Sequence, residues 1–355
     1  MSSQRALSIG LTHPWSNDVS PTCVAPCCAG RRAAPAFILD PHQRRVTMND
    51  TTAPPLPGVL RTPDARFADL PGYAFAPHYA SALPGFDGLR VHYLDEGPAD
   101  AAVTVLCLHG QPTWSYLYRK MLPEFVAAGQ RVVAPDFLGF GRSDKPEDEA
   151  FYTFTRHRTM LLEFVRSLRL KNVTLVVQDW GGLLGLTLPM EMPDVFKRLV
   201  VMNTGLGTGD VPLGKGFTDW RAFSNSKPDM DIAALMRRSV PALSREEADA
   251  YAAPFPDVRY KAGVRRFPNL VPDHPDADGA AISREARTWW STQWSGASFM
   301  AVGMQDPVLG PPAMRHLRTL IRGCPAPMEV AEAGHFVQEA GAPIARAALA
   351  AFAED

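Results

Sequence analysis

Residues 175–183, which read Leu-Val-Val-Gln-Asp-Trp-Gly-Gly-Leu, join a strand pattern to a helix pattern through a very short turn. The apolar run from Val173 to Val177 predicts a parallel strand covered on both faces. A helix is predicted to begin near Gly181, where the turn leaves no room for a bulky residue. Asp179 lies between the two, so its side chain is expected at the carboxyl end of the sheet, beside the helix N-terminus. The segment therefore predicts a nucleophile elbow in which a carboxylate replaces the usual serine.

Asp179 also has a simpler interpretation. An Asp between a strand and a helix most commonly caps the helix, because its carboxylate accepts a hydrogen bond from one of the first free N–H groups. The choice between a cap and a nucleophile depends on which other side chains the fold brings to the same edge of the sheet.

Strand and helix patterns alternate before and after the elbow and predict an α/β fold, with a mostly parallel sheet flanked by helices. Residues 89–94 alternate as a half-exposed strand does, and residues 115–128 have the apolar spacing of one continuous helix. Further strands are predicted over 102–108, 131–134, 198–202, 298–304 and 328–330, and further helices over 155–170 and 312–321.

Two chemically useful side chains follow the last two predicted strands. Asp306 comes directly after the strand at 298–304, and His335 lies in the loop 333–339 that follows the strand at 328–330. Together with Asp179 they give the order nucleophile, acid, base, which is typical of an α/β-hydrolase fold. We therefore predict a catalytic triad of Asp179, Asp306 and His335.

A second loop, His109-Gly110-Gln111, follows the strand at 102–108 and predicts an oxyanion hole. In such a hole, one backbone N–H from this loop and one from the residue after the nucleophile point at the same oxygen. These donors are the N–H groups of Gln111 and Trp180. The side chain of His109 is expected to brace the loop and to take no part in the chemistry.

Residues 205–285 break the strand and helix alternation and are rich in aromatic side chains, Pro and Gly. An insertion of this kind, placed over the carboxyl ends of the strands, predicts a helical lid above the site. The expected domains are a core of residues 58–204 and 286–355, the lid, and an N-terminal extension of residues 1–57. The extension is expected to be disordered, because its composition buries too little apolar surface. Met48 offers an alternative translation start that would make most of it an artefact.

Composition excludes several classes of partner. The net charge of −1 gives no basic surface for nucleic acid or anionic lipid, and no apolar run approaches the roughly 18–20 residues that span a bilayer. We see no secretory signal and expect a cytoplasmic protein. Five cysteines are expected to stay unpaired in a reducing compartment. A zinc site built from Cys23, Cys27 and Cys28 with a nearby histidine matches no known spacing, so we predict no metal.

From about Arg61 to its end the chain resembles the haloalkane dehalogenases of the α/β-hydrolase superfamily, in the branch that holds halide between two tryptophans. The resemblance implies that Asp179 is the nucleophile, His335 the base and Asp306 its partner, with Trp180 and Trp220 as the halide-binding indoles. It further implies hydrolysis of a small haloalkane to alcohol, halide and a proton, without a cofactor; we expect a monomer. The matching segments are 61–64, 109–121, 136–146, 176–189, 251–264 and 333–339.

Two departures help to place the chain within that family. Other branches have Asn after His-Gly as the second halide ligand, whereas this chain has Gln111. Those branches also take the acid from the end of the strand that here reads Met202-Asn203-Thr204, which has no carboxylate. Asp306 is therefore the only well-placed acid, and the role of the Gln111 side chain stays open.

The substrate pocket is predicted from the resemblance and from apolar character. A narrow aromatic pocket would favour short terminal haloalkanes. The predicted lining residues are Leu183, Phe217, Phe267, Pro268, Val271, Val308 and Leu309.

Four other functions share this scaffold. An epoxide hydrolase uses the same Asp nucleophile, but it needs lid tyrosines at the site, for which Tyr251 and Tyr260 are the candidates. A fluoroacetate-type dehalogenase would carry Arg where this chain has Trp180. The remaining alternatives are a cofactor-free light-emitting oxygenase and a non-catalytic ligand-binding protein.

Overall fold

In the computed structural model of the protein, which describes residues 54–353, eight strands form one sheet. The strands that build its centre are continuous apolar runs, and their residues are buried. In chain order the strands are β1 (His78–Ala80), β2 (Val91–Glu96), β3 (Thr104–Leu108), β4 (Arg131–Pro135), β5 (Val173–Gln178), β6 (Phe196–Met202), β7 (Ala297–Gly303) and β8 (Met328–Val330).

The strand order across the sheet is β8-β7-β6-β5-β3-β4-β2-β1. The pairs from β8 to β4 are parallel, and only β2 and β1 run against their neighbours. In the centre, Leu175 pairs with Leu106 on one side and with Leu199 on the other. Because β5, β6, β7 and β8 are consecutive neighbours, the loops after their carboxyl ends meet at one edge of the sheet.

Ten α-helices accompany the sheet in the described part of the chain. Some of them begin with a side-chain cap: Thr153 accepts from the Arg156 N–H at the start of the helix Phe154–Ser167, and Ser244 and Glu247 form a capping box at the start of Arg245–Ala252. The helices are α1 (Leu122–Ala127), α2 (Phe154–Ser167), α3 (Trp180–Gly185), α4 (Lys215–Asn225), α5 (Ile232–Ser239), α6 (Arg245–Ala252), α7 (Ala262–Arg266), α8 (Ala280–Thr292), α9 (Pro311–Leu320) and α10 (Gly341–Ala353).

The strands and helices lie close to the predicted ranges, with two corrections. The helix predicted over 115–128 is broken into a 3₁₀ turn at Ser115–Tyr118 and α1. Pro123 stands in the first turn of α1, a position that suits the start of a helix and not its middle. The strand at 89–94 is not half-exposed, because its polar residues are buried as well: His92 bonds Asp136 at 2.7 Å.

The segment predicted as a lid, residues 205–285, contains α4 to α7 and no strand along its fully described length. Its predicted end, between residues 285 and 286, falls inside α8, which is one continuous helix. The later half of α8 is attached to the core, since the Trp290 indole N–H donates to the carbonyl oxygen of Leu186 at 2.7 Å. The lid segment therefore has no boundary at residue 285; it joins the core through the continuous helix α8.

Several sequence-based predictions fall on residues 1–53, which lie outside the described part of the chain. They are the disorder of the extension, the alternative start at Met48 and the zinc alternative at Cys23, Cys27 and Cys28. Of the described cysteines, Cys107 and Cys324 are free thiols. No helix between residues 54 and 353 is both long and apolar enough to cross a membrane.

Candidate active site

The elbow after β5 has the strained backbone that a nucleophile elbow requires. Asp179 has φ 49° and ψ −125°, a left-handed conformation that side chains other than glycine rarely adopt. The turn is so tight that a Cβ atom at Gly181 would lie 1.9 Å from the carbonyl oxygen of Leu108. Two hydrogen bonds hold the turn to the residues just after β6: the Asp179 N–H donates to the Asn203 carbonyl oxygen, and the Thr204 hydroxyl donates to the Asp179 carbonyl oxygen. The strain raises the Asp179 side chain above the edge of the sheet.

The carboxylate of Asp179 does not cap its own helix, because it accepts no hydrogen bond from the first turn of α3. Its Oδ1 accepts from the backbone N–H of Gln111 at 2.8 Å, and its Oδ2 lies 3.6 Å from Nε2 of His335. Gly110 makes this approach possible, since a Cβ atom there would lie 2.4 Å from Oδ1. The simpler capping interpretation of Asp179 is therefore wrong.

His335 and Asp306 are joined as predicted, with Nδ1 of His335 2.9 Å from Oδ2 of Asp306. The carboxylate of Asp306 is buried and held from two further sides. The side-chain amide of Asn203 donates to Oδ2 at 2.9 Å, and the Val308 N–H donates to Oδ1 at 2.8 Å. With Nδ1 occupied by Asp306, Nε2 of His335 is the ring nitrogen that faces Asp179.

The pKa values of this pair are coupled. Burial lowers the pKa of His335, but the carboxylates of Asp306 and Asp179 outweigh it and raise that pKa to about 10. Burial would raise the pKa of Asp306, yet the nearby His335 and the donors from Asn203 and Val308 lower it to about 2. The two carboxylates therefore favour the protonated form of the imidazole in the free protein.

Two amide side chains at this site were missed from the sequence. Asn203 positions Asp306, and the Gln178 side-chain amide nitrogen lies 3.0 Å from the His335 carbonyl oxygen and 3.1 Å from Nε2. Both residues sit at the last positions of β5 and β6 or just beyond, at the edge where the triad assembles. Their position at the strand ends could have indicated a role at the site, because an amide side chain that is fully buried there needs hydrogen-bond partners.

The loop after β3 brings one of the two predicted oxyanion donors, the Gln111 N–H, to Asp179, whereas the Trp180 N–H makes no hydrogen bond to that carboxylate. Gln111 places its backbone N–H on Asp179, and its side-chain amide donates to the Val264 carbonyl of α7 at 2.9 Å. The Gln111 side chain thus connects the loop to the lid segment. His109 braces the loop, because its Nδ1 bonds the Gly110 carbonyl and its Nε2 accepts from the Phe137 N–H at 2.9 Å. The expected bracing role of His109 is confirmed.

A cavity of about 800 Å³ opens in front of Asp179 and His335. Trp180 and Trp220 both line it, from the elbow and from α4. Within residues 54–353 neither indole N–H donates to a protein acceptor, although the Trp180 ring packs on Phe267 at 4.7 Å between centroids. Both indoles therefore line one space next to the carboxylate.

Three of the seven predicted pocket residues, Phe217, Pro268 and Val308, line this cavity. The other four do not, and the prediction is corrected for them. Phe267 is completely buried behind Trp180, where it supports the indole from the far side. Leu183 and Val271 are also buried in the packing around the cavity wall, and Leu309 is only partly exposed. The cavity volume of about 800 Å³ is larger than a short haloalkane needs.

The side chains that the competing functions need are not at the cavity. Tyr251 is fully buried, where it contacts Glu339 and Arg119, and it does not line the cavity. Tyr260 does not line it either. An epoxide hydrolase therefore lacks its proton-donating tyrosines here. The position after the nucleophile carries an indole and not the guanidinium of a fluoroacetate-type enzyme.

Comparison with known proteins gives one consistent result. A family model of the α/β hydrolase fold matches residues 103–342. A haloalkane dehalogenase of Psychrobacter cryohalolentis is 47% identical over 285 residues, covering 79% of this chain and 93% of the relative. One from Mycobacterium marinum is 45% identical over 296 residues, covering 80% and 96%.

A solved structure agrees with these relatives. The tetrameric haloalkane dehalogenase DpaA from Paraglaciecola agarilytica superposes with a TM-score of 0.81 at 51% identity, over 82% of this chain and 98% of DpaA. The chain therefore belongs to the haloalkane dehalogenases, enzymes of the α/β-hydrolase fold that hydrolyse carbon–halogen bonds.

Proposed function

We propose that the protein hydrolyses haloalkanes in two steps, through an alkyl ester on Asp179 that His335 helps water to cleave. The observation that carries the proposal is the position of one carboxylate. Asp179 lies between the Gln111 N–H and the His335 imidazole, and it faces a cavity into which two tryptophans project. Epoxide hydrolysis with the same nucleophile is the alternative.

The first step is an in-line displacement at saturated carbon. Such a carbon has no carbonyl to attack, and a carboxylate is a nucleophile at neutral pH without help from a base. Because Oδ1 of Asp179 accepts from Gln111, Oδ2 is the oxygen that forms the new C–O bond. The carbon–halogen bond breaks, and its electron pair leaves with the halide. The indole N–H groups of Trp180 and Trp220 are donors only, so they stabilise the charge as it develops.

The second step returns the enzyme to its starting state. Nε2 of His335 takes a proton from water, and the resulting hydroxide attacks Cγ of the Asp179 ester. Charge moves to Oδ1, where the N–H groups of Gln111 and Trp180 stabilise it. The bond from Cγ to Oδ2 then breaks, and Oδ2 takes the proton from Nε2 of His335 and leaves as the alcohol, while the carboxylic acid formed at Asp179 releases its proton to solvent. The net products are the alcohol, the halide and one proton.

A direct assay separates this activity from its rival. The enzyme is incubated with 1-bromobutane and 1,2-dibromoethane, and the release of bromide and of acid is measured. We expect the two to be released in equal amounts. Styrene oxide is run in parallel under the same conditions. Formation of the diol without any bromide from the bromoalkanes would establish the epoxide hydrolase instead.

We predict that only the second of the two steps speeds up with pH. Esterification of Asp179 removes one of the two carboxylates that raise the pKa of His335, so that pKa falls when the ester forms. A neutral imidazole is the base, so ester hydrolysis should speed up as pH rises through the lowered pKa and then level off. Alkylation uses no base and should not show this rise. Rapid-quench single turnovers measure both steps, and ester hydrolysis that slows with rising pH would contradict the assignment.

Trp220→Phe should weaken bromide binding by about 10- to 100-fold, because it removes the hydrogen bond from the indole N–H to the bromide ion and keeps an aromatic ring. Calorimetric titration with bromide measures the change. Trp289→Phe is the matched control, since Trp289 is buried in α8 and does not line the cavity. Equal binding by the Trp220 variant and the wild-type enzyme would remove this indole from the halide site.

The assembly and location of the protein are part of the same proposal. We expected a monomer, whereas the related DpaA is tetrameric; sedimentation of the purified protein distinguishes the two. A cytoplasmic location is supported by the free thiols of Cys107 and Cys324.

A further inference from the structure

The cavity has more room than a short haloalkane needs. Its volume of about 800 Å³ lies in the upper part of the range for pockets that bury drug-sized ligands, roughly 300–1,000 Å³. Its inner end carries Trp180 and the nucleophile. Elsewhere the lining includes charged side chains that the two-step reaction does not use, which are Asp219, Arg238, Glu332 and Glu339.

Arg238 differs from the other charged residues of the lining. Glu339 forms ion pairs with Arg119 and Lys120, Asp219 pairs with Lys215, and Glu332 accepts from the Gln305 amide. Arg238 is exposed and forms no ion pair or hydrogen bond with any residue of the described range 54–353. Its guanidinium lies over the face of the Phe223 ring, with Cζ 4.8 Å from the ring centre.

This contact places the guanidinium on the same side of the cavity as Trp220, one of the two proposed halide-binding indoles. The ring of Trp220 lies 6.0 Å from the ring of Phe223, and Phe223 carries Arg238 on its face. All three residues line the cavity, as does Ser239, the last residue of α5. An indole donor, an apolar ring and a cation therefore follow one another along one wall.

A purely structural role for Arg238 is the simplest alternative. Cations are favourable in the last turn of a helix, because the C-terminal end of the helix dipole is negative. Arg237 in the same turn satisfies that role: it lies outside the cavity lining and 3.7 Å from Asp249. The dipole does not explain why its neighbour faces the cavity without a carboxylate partner.

We propose that the substrates of this enzyme include terminal haloalkanes with a carboxylate at the other end, which Arg238 binds while the halogen lies between Trp180 and Trp220. The inference rests on the proposed function. Guanidinium groups bind carboxylates through two parallel hydrogen bonds, and the Ser239 hydroxyl is a further donor. The chemistry at the halogen is unchanged, so the products are an ω-hydroxycarboxylate, halide and a proton.

The same charges set a lower limit on chain length. The carboxylate of a short acid such as 3-bromopropionate would sit beside the anionic Asp179 and away from Arg238, so such acids should be poor substrates. A longer acid such as 6-bromohexanoate keeps its carboxylate away from Asp179. The ratio of kcat/KM for the acid over that for the neutral bromide of equal length should therefore increase with chain length.

The test compares 6-bromohexanoate with 1-bromohexane. In the wild-type enzyme both release bromide. Arg238→Met keeps an unbranched apolar side chain against Phe223 but removes the charge. It should lower the acid-to-neutral ratio of kcat/KM by about tenfold, mainly through KM of the acid. Arg237→Met is the matched control and should leave the ratio unchanged.

A measurement on the unmodified enzyme guards against a variant that folds poorly. Added salt should raise KM for 6-bromohexanoate and leave KM for 1-bromohexane nearly constant, because only the acid depends on a charge pair. An Arg238→Met variant with an unchanged ratio would overturn the proposal, and so would KM values for the two substrates that respond equally to salt. Turnover of 1-bromohexane without any turnover of the acid would reject this inference alone, whereas turnover of neither would reject the proposed function itself.

Discussion

In the His335→Gln variant, haloalkane is expected to yield one equivalent of bromide per enzyme and then stop. Alkylation of Asp179 needs no base, so the ester still forms; its hydrolysis loses the base and should slow by about 10²–10⁴-fold. Gln has a similar size and keeps hydrogen-bonding capacity towards Asp306, but it takes up no proton at neutral pH. Intact-protein mass spectrometry should show one added alkyl group, and peptide mapping should place it on Asp179.

Two controls make that result specific. His316→Gln changes an exposed histidine of α9 and should turn over normally. Asp179→Ala combined with His335→Gln should give neither adduct nor bromide, because the nucleophile is gone. Normal turnover by His335→Gln would show that another group is the base, and an adduct on a different residue would remove Asp179 from the mechanism.

The triad could be predicted because it depends on topology more than on packing. Parallel strands that are neighbours in the sheet end at the same edge, so residues just after β5, β7 and β8 must lie close together. Asp179, Asp306 and His335 follow those three strands. The pattern of apolar runs was enough to place the strands and so to bring Asp179 and His335 to one edge of the sheet, where the structure shows them 3.6 Å apart.

The lining of the cavity could not be predicted in the same way. Apolar character shows that Phe267 is buried, but it does not show whether the ring faces the cavity or the back of Trp180. That choice depends on how the helices of the lid segment pack. Gln178 and Asn203 were missed for a related reason, because an amide gains its role only from partners that distant loops bring to it. The polar residues Arg90 and His92 made the segment 89–94 look half-exposed. Both are buried, because Arg90 lies over the Tyr79 ring and His92 bonds Asp136.

Asp306→Ala should reduce kcat by about 10⁴-fold, as removal of the acid does in hydrolytic triads. Without Asp306, Nδ1 of His335 loses its acceptor and the pKa of His335 loses its largest raising influence. The ring is then free to place its proton on Nε2, where it blocks proton uptake from water. The loss should fall on ester hydrolysis, so the alkyl-enzyme should accumulate in rapid-quench experiments with 1-bromobutane.

Asn203 provides a route to partial rescue of that variant. Its amide nitrogen lies 2.9 Å from Oδ2 of Asp306, and Oδ2 lies 2.9 Å from Nδ1 of His335. A carboxylate that replaces Asp306 from this position must therefore reach further than Asn203 does. Asn203→Glu adds one methylene and a charge, so in the Asp306→Ala background it should recover part of the lost ester hydrolysis.

The matched control for the rescue is Asn203→Gln in the same Asp306→Ala background. Gln has the length of Glu without its charge, and both variants lose the bonds that Asn203 makes to the backbone of Gly303. Recovery by Glu but not by Gln would show that His335 requires a carboxylate at Nδ1, whichever strand supplies it. Equal recovery by both would mean that an uncharged hydrogen-bond acceptor at Nδ1 is sufficient, so that ester hydrolysis would not need the negative charge assigned to Asp306.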